Sequence, residues 1–426
     1  MAPIEDHPLR YQLANELHAR PFPTMSTEGT VAFIAIKQPT EAVSRDRGRD
    51  LAHLKALLDR YGAPHPQPDA THYSGQIGRH GLKWEQHTEF VTYTAFSDGV
   101  SDRPFDPADF EIFPDDWLAD APGERLTSVM LRIEPRPDDR MIDAQLRDWF
   151  VPESLAVAQV LDNAAVTASD FRIDPAGHLR ISVFVSPQIG ERRIGRIAQR
   201  LLEIETYKTI SMLGFSRSRT LSGNISELDN QLTELMVDMA REGSQPETNL
   251  SSLLSISTEL ESMSARSSFR FGATGAYEAI VNQRVSVLRE TRFLGRQTFS
   301  EFMMRRYEPA MRTVKSTERR LQALADRAIR AGDLLRTRVD VDRSAQNQAL
   351  LESMDKRAAL QLRMQNTVEG LSVVAISYYS VSLCGYLLYP LSASSGISKG
   401  MLTAAVTLPV VAAVWWMIRR IRRKIE

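Results

Sequence analysis

The last 59 residues constrain this chain more than any other part. Leu371–Leu391 is an uncharged run of 21 residues, and Met401–Ile418 is a second apolar run of 18. At 1.5 Å per helical residue these span about 31 and about 27 Å, near the ~30 Å hydrocarbon thickness of a bilayer. The sequence therefore predicts a large soluble body tied to a membrane by a C-terminal helical hairpin. After the second run stand Arg419, Arg420, Arg422, Arg423 and Lys424, whereas the loop between the runs carries only Lys399. The positive-inside rule places that tail in the cytoplasm. Two crossings return the chain to the same side, so residues 1–370 are expected there too. The expected location is a bacterial cytoplasmic (inner) membrane with both termini cytoplasmic. The first residues contain no apolar signal-peptide core.

Composition narrows the rest. The net charge of −1 supplies no basic field for nucleic acid. The single cysteine, Cys384, lies in the first apolar run, so disulfides and multi-thiolate metal sites within one chain are excluded.

Residues 1–189 read as a mixed α/β domain. Glu28–Lys37, Gly81–Phe96, Glu124–Pro135 and His178–Pro187 have strand character, and Arg47–Gly62 has a helical spacing closed by Gly62. The Pro- and Asp-rich stretches 101–123 and 135–139 read as loops. Residues 190–309 read as helical: Arg192–Arg241 with breaks near Gly214 and Gly223, a turn at Gly243–Glu247, then Asn249–Arg306. Residues 310–370 read as a stalk helix. Its apolar stripe is Val314, Leu321, Leu324, Ala328, Ala331, Leu335 and Val339, continued by Leu351, Met354, Ala358, Leu362 and Gln365. Such a stripe suits a coiled coil, or packing on the chain's own preceding helices. Transmembrane helices at 371–391 and 401–418, an outer loop at 392–400 and a basic tail at 419–426 complete the division. The expected fold is thus an α+β cytoplasmic domain, long coiled-coil-like helices and a transmembrane hairpin. One helix from Ala310 to Leu391 would be about 120 Å long and needs partners in water, so a homo-oligomer is expected.

Four segments carry a resemblance: His7–Pro23, Trp84–Thr94, Arg305–Thr313 and Met364–Leu387. They resemble a proteobacterial family of membrane proteins catalogued as a domain of unknown function. The architecture also resembles that of CorA-type magnesium channels, which implies a homopentamer whose first membrane helix lines a pore. The Gly-Met-Asn signature of those channels is replaced here by Tyr389–Pro390–Leu391. Their acidic helices are also not matched, since Arg266–Arg343 holds 17 basic and 9 acidic residues.

Three groups of residues are candidates for chemistry. Gln361, Gln365, Glu369 and Ser372 share one helix face, with Tyr379 deeper in the apolar run. Around an oligomer axis they would form polar rings that attract cations. The alternative has Glu369 at headgroup level, facing water or the basic tail. In Gly81–Phe96, alternation puts Glu85, His87 and Glu89 on one face, with Trp84, Gln86, Thr88 and Phe90 on the other. That acidic and imidazole face could hold a divalent cation with help from His18 or His72, or be simply a solvated strand face. Asn15–Pro21, with Glu16, His18 and Arg20, reads as structural. No nucleophile or nucleotide-loop motif points to an enzyme. The readings carried forward are a cation channel or transporter, and a membrane-anchored scaffold or sensor.

Overall fold

The computed structural model describes residues 4–16, 22–38, 45–241, 245–388 and 398–425. His18, Arg20, Gly243 and Ser244 of the expected turn, and Tyr389–Pro390–Leu391 with most of the outer loop lie outside them. The chain forms two compact units, Met1–Ala331 and Gly332–Glu426.

In the first unit, in chain order, come α1 (Arg10–Glu16), β1 (Gly29–Lys37), α2 (Arg47–Arg60), β2 (His72–Ile77), β3 (His80–Gln86) and β4 (Phe90–Asp98). Next are α3 (Asp115–Ala119), β5 (Glu124–Pro135), α4 (Asp139–Trp149), β6 (Ala156–Val160), β7 (Ala165–Ser169) and β8 (Leu179–Val185). Then follow α5 (Glu191–Ala240), α6 (Pro246–Val287), β9 (Thr291–Arg292), α7 (Phe299–Phe302) and the start of α8 (Glu308–Leu387). The nine strands form one sheet in the order β2-β3-β4-β1-β5-β8-β7-β6-β9. Only β5 and β8 run parallel; the other named pairs are antiparallel.

Strand alternation sorts the sheet into two faces. On one, Ile34, Ile36, Trp84 and Tyr93 form a core with Leu54, Leu57 and Leu58 of α2, Trp117 of α3 and Ile142 and Leu146 of α4. His53 is locked inside it: its ring stacks on Trp117 at 4.0 Å, and its nitrogens meet the Tyr93 hydroxyl and the Trp117 carbonyl, both at 2.9 Å. The other face takes α5, whose Ile194, Ile197, Ala198 and Leu201 are buried.

The expected breaks at Gly214 and Gly223 are corrected. Helix α5 runs unbroken through Gly214 and Gly223. A Cβ on Gly214 would lie 2.2 Å from Thr274 Oγ1, so this glycine serves the close crossing of α5 with α6 rather than a break. At the start of α8, Pro309 lies within continuous helical backbone. The Glu308 N–H bonds the Met303 carbonyl five residues back, so a π-turn over Met303–Tyr307 absorbs the bond that Pro309 cannot make. Along α8, Val314, Leu321, Leu324, Ala328 and Ala331 are buried within the first unit, as in packing on the chain's own helices. Lys315 and Arg327 pair with Glu278 of α6 and Asp229 of α5, at 2.7 and 2.6 Å.

The turn into α7 is capped twice. Thr298 and Glu301 form a capping box, and the Glu290 carboxylate accepts the N–H groups of Phe299 (3.1 Å) and Ser300 (2.8 Å). Burial nonetheless pushes the Glu290 carboxyl up from 4.5 to about 7, against the pull of those two N–H groups. The unfolded chain ionises first, so the stability this group contributes is fully present below about pH 4.5 and is lost as pH rises through about 7. Glu290→Gln is expected to remove that slope, which amounts to at most about 3 kcal/mol. Denaturation of both chains at pH 5 and pH 7.5 checks it; parallel pH profiles would contradict it.

In the second unit α8 continues to Leu387, and α9 (Lys399–Ile425) follows. The helices Phe299–Leu387 and Lys399–Ile421 are both long and apolar enough to cross a membrane. Their apolar side chains are mostly exposed, with Leu371, Val374, Leu383 and Leu408 all above 60 %. In a soluble core they would be covered. Between residues 371 and 421, only Ser377 and Val414 are buried among the described residues.

Candidate functional site

The site is built on the β3–β4 hairpin. The sequence predicts one strand over Gly81–Phe96, but the chain reverses at residues 87–89, and the His87 N–H closes the turn on the Phe90 carbonyl at 2.9 Å. The reversal shifts the alternation, so Phe90 lies on the same face as Glu85. Arg45, almost fully buried, holds the turn from behind. Its guanidinium donates to the carbonyls of His87 (2.6 Å), Thr88 (3.3 Å) and Phe90 (3.2 Å), and ion-pairs with Asp50. Burial lifts the Asp50 carboxyl above its ordinary range and lowers Arg45, the mark of a pair held against desolvation.

Between this hairpin and helices α5 and α6 lies a cleft of 270 Å³. Its floor is Phe33, Lys83, Glu85, Thr92 and Thr94 from the sheet; its wall is Gln199, Glu203, Thr206 and Tyr207 of α5, with Arg284 of α6. A polar chain runs across it. Lys83 Nζ contacts Glu85 (3.1 Å) and Gln199 Oε1 (3.1 Å), Gln199 donates to Glu203 (2.9 Å), and Glu203 pairs with Arg284. Phe22 and Pro23 form one rim. Gly195 makes that rim: a Cβ there would stand 1.8 Å from the Pro23 carbonyl oxygen, so only glycine lets the segment cross α5 so closely. Two cations, two carboxylates, three threonines and aromatic walls suit a small ligand carrying both charges, with a compact apolar part. The arrangement offers no paired nucleophile and base, so we assign it no reaction.

The expected Glu85/His87/Glu89 metal face is not formed. Glu85 turns to Lys83, and the His87 ring stacks on Phe90 at 4.3 Å. Glu89, fully buried, pairs with Arg270 and accepts the Tyr277 hydroxyl at 3.0 Å. No cluster of three His, Cys, Asp or Glu side chains that could hold a metal occurs among the described residues. The physical reason is the turn, which leaves Glu85 on β3 and puts His87 and Glu89 in the bend instead of on one strand face. Glu85 and His87 do line the cleft. Lys83, Gln199, Glu203 and Arg284 escaped sequence reasoning because they come from three separate segments, although the spacing of Lys83 with Glu85, and of Gln199 with Glu203, already set each pair on one face.

The membrane-side candidates all lie in the second unit. Gln361, Gln365, Glu369, Ser372 and Tyr379 fall within about 80° of the α8 circumference at 3.6 residues per turn. Ser377, buried, lies on the opposite side of the helix. Gln361 and Gln365 are exposed, Glu369 and Ser372 half-exposed, and Tyr379 exposed. Leu351, Met354, Ala358 and Leu362 of the expected stripe are exposed as well. On α9, Arg419 sits over the Trp415 ring at 4.9 Å and Arg420 over Trp416 at 5.1 Å.

These features define a mixed α+β protein: a nine-stranded sheet body with a charged cleft, long helices, and two C-terminal helices apolar enough for a membrane. The chain belongs to the family described as "Protein of unknown function (DUF3422)", whose model matches residues 5–425. No match was found among curated proteins or solved structures.

Proposed function

We propose that this protein is a membrane-anchored sensor or scaffold whose cytoplasmic body binds a small zwitterionic molecule in the sheet–helix cleft. The observation that carries this reading is the meeting of Lys83, Glu85, Glu203 and Arg284 in one cleft, from one strand and two helices. The hairpin anchors the body in a bacterial inner membrane. Trp415 and Trp416 beneath Arg419 and Arg420 form the kind of aromatic and basic belt that marks a cytoplasmic interface. To test it, the full-length chain in neutral detergent is heated with a panel of free amino acids and betaines at millimolar concentration. At least one is expected to raise the melting temperature by several degrees, as saturating ligands do. Lys83→Met and Arg284→Ala should abolish the shift. A panel without effect contradicts the reading.

A second reading is a homo-oligomeric cation channel on the plan of the CorA channels, a pentamer by analogy. It is favoured by the polar stripe Gln361–Glu369–Ser372–Tyr379, which faces away from the buried side of the hairpin, and by exposed apolar residues at 351–362 that need partner helices. In liposomes, Glu369→Gln should lower divalent-cation flux several-fold; unchanged flux, or none in the parent chain, removes this reading.

A further inference from the structure

A hollow of 600 Å³ on the first unit, separate from the cleft, is lined by four guanidinium groups: Arg193, Arg196 and Arg200 of α5, and Arg289 just after α6. The first three recur at intervals of three and four, so they share one helix face. Arg193 donates to the Leu161 carbonyl at 2.9 Å, and Arg289 pairs with Asp162 at the rim at 2.7 Å. Neither Arg196 nor Arg200 forms an ion pair among the described residues. Glu203, the carboxylate that acts on Arg200, is already held by Arg284.

Three local rules are broken here together. Like charges three and four apart on a helix repel. A cation in the first turn of a helix opposes its dipole, and Arg193 stands in the first turn of α5. The backbone is also strained: Leu161, Asp162 and Asn163 are three consecutive non-glycine residues with φ of 50°, 60° and 63°, and Arg289 has φ 47°. The Leu161 N–H bonds the Leu288 carbonyl at 2.8 Å, which fixes the two strained turns against each other and Arg289 beside the α5 arginines. Arg196 and Arg200, held beside this fixed turn without a carboxylate partner among the described residues, keep a repulsion that a multivalent anion would relieve.

We propose that this hollow binds a phosphoryl group, carried by a soluble phosphorylated molecule or by a phospholipid headgroup. Planar guanidinium forks match phosphate oxygens in pairs, which lysine cannot do. The volume of 600 Å³ leaves room for a group larger than one phosphate.

The test uses the full-length chain in neutral detergent, titrated calorimetrically with inorganic pyrophosphate and, separately, with dihexanoyl phosphatidylglycerol, against dihexanoyl phosphatidylcholine as control. Binding of pyrophosphate alone identifies a soluble phosphate ligand; binding of phosphatidylglycerol but not phosphatidylcholine identifies a headgroup. Either supports the proposal. Arg196→Ala/Arg200→Ala should weaken binding by about tenfold or more, whereas Arg103→Ala, remote from the hollow, should not. The double variant should also melt no lower than the parent, because it removes repulsion rather than a contact. No binding of either probe, or equal binding in the double variant, overturns the site.

Discussion

Arg45→Ala is expected to lower the stability of the chain by about 3–5 kcal/mol, the range found when one partner of a buried ion pair is removed. The guanidinium is 1 % exposed and its Asp50 partner 2 %. Its loss leaves the Asp50 carboxylate without its cation, with the Gln86 amide at 3.1 Å the remaining side-chain donor to it among the described residues. The carbonyls of His87, Thr88 and Phe90 lose their shared donor at the same time. Arg45→Lys keeps the charge but cannot fork, so it should recover only part of the loss. Replacing both members, Arg45→Met/Asp50→Asn, should cost less than Arg45→Ala alone. Denaturant unfolding of the detergent-solubilised chains measures all three. A change under about 1 kcal/mol for Arg45→Ala would show that the turn holds without this anchor.

Arg270→Ala should have a similar effect, about 3–5 kcal/mol, from the opposite side of the same hairpin. Glu89 is fully buried beside α6, and its two carboxylate oxygens are held by Arg270 and Tyr277. Burial and the carboxylate beside it push the Tyr277 hydroxyl well above its ordinary range, so it remains a donor throughout the physiological range. One neutral donor does not replace the lost cation. A double-mutant cycle with Glu89→Gln isolates the pair and should give a coupling of at least about 1 kcal/mol. Additive single effects would place the loss in packing of the Arg270 stem rather than in the ion pair.

The hairpin also shows where sequence reasoning succeeds and where it fails. Strand β5 is observed over the same residues, Glu124–Pro135, that the sequence predicts, and α2 ends at Arg60, two residues before the expected Gly62, which has φ 62°. Both have the regular signals: a β-branched run, and a glycine where the chain needs a left-handed residue. The β3–β4 turn lacks them, since His87, Thr88 and Glu89 include no glycine, asparagine or proline. The hairpin β6–β7 has a weaker signal of another kind: its turn, left-handed at Leu161, Asp162 and Asn163, contains Asp and Asn but no glycine. Helix α4 starts at the end of the stretch 135–139 that reads as loop, where Asp138 is its N-cap, accepting the N–H groups of Arg140 and Met141, both at 2.9 Å. Of the site, Glu85 and His87 were legible as a polar face, while their true partners were not. Lys83 is close in sequence, but Gln199 and Arg284 reach it only through tertiary packing, which no local pattern encodes.

The stalk divides in the same way. Its stripe was legible throughout, yet from Val314 to Ala331 it is covered by the chain itself and from Leu351 to Leu362 it is bare. A helical period states that a face is apolar; it does not state what covers the face.

The native chain carries its own probe of the central claim, because Cys384, in the first apolar helix, is its single cysteine. Membrane vesicles containing the full-length protein are treated with a bulky, membrane-impermeant maleimide before and after the bilayer is dissolved in a denaturing detergent. The account predicts no labelling in vesicles of either orientation and complete labelling after solubilisation. Rapid labelling of Cys384 in intact vesicles of both orientations would contradict a membrane-spanning hairpin.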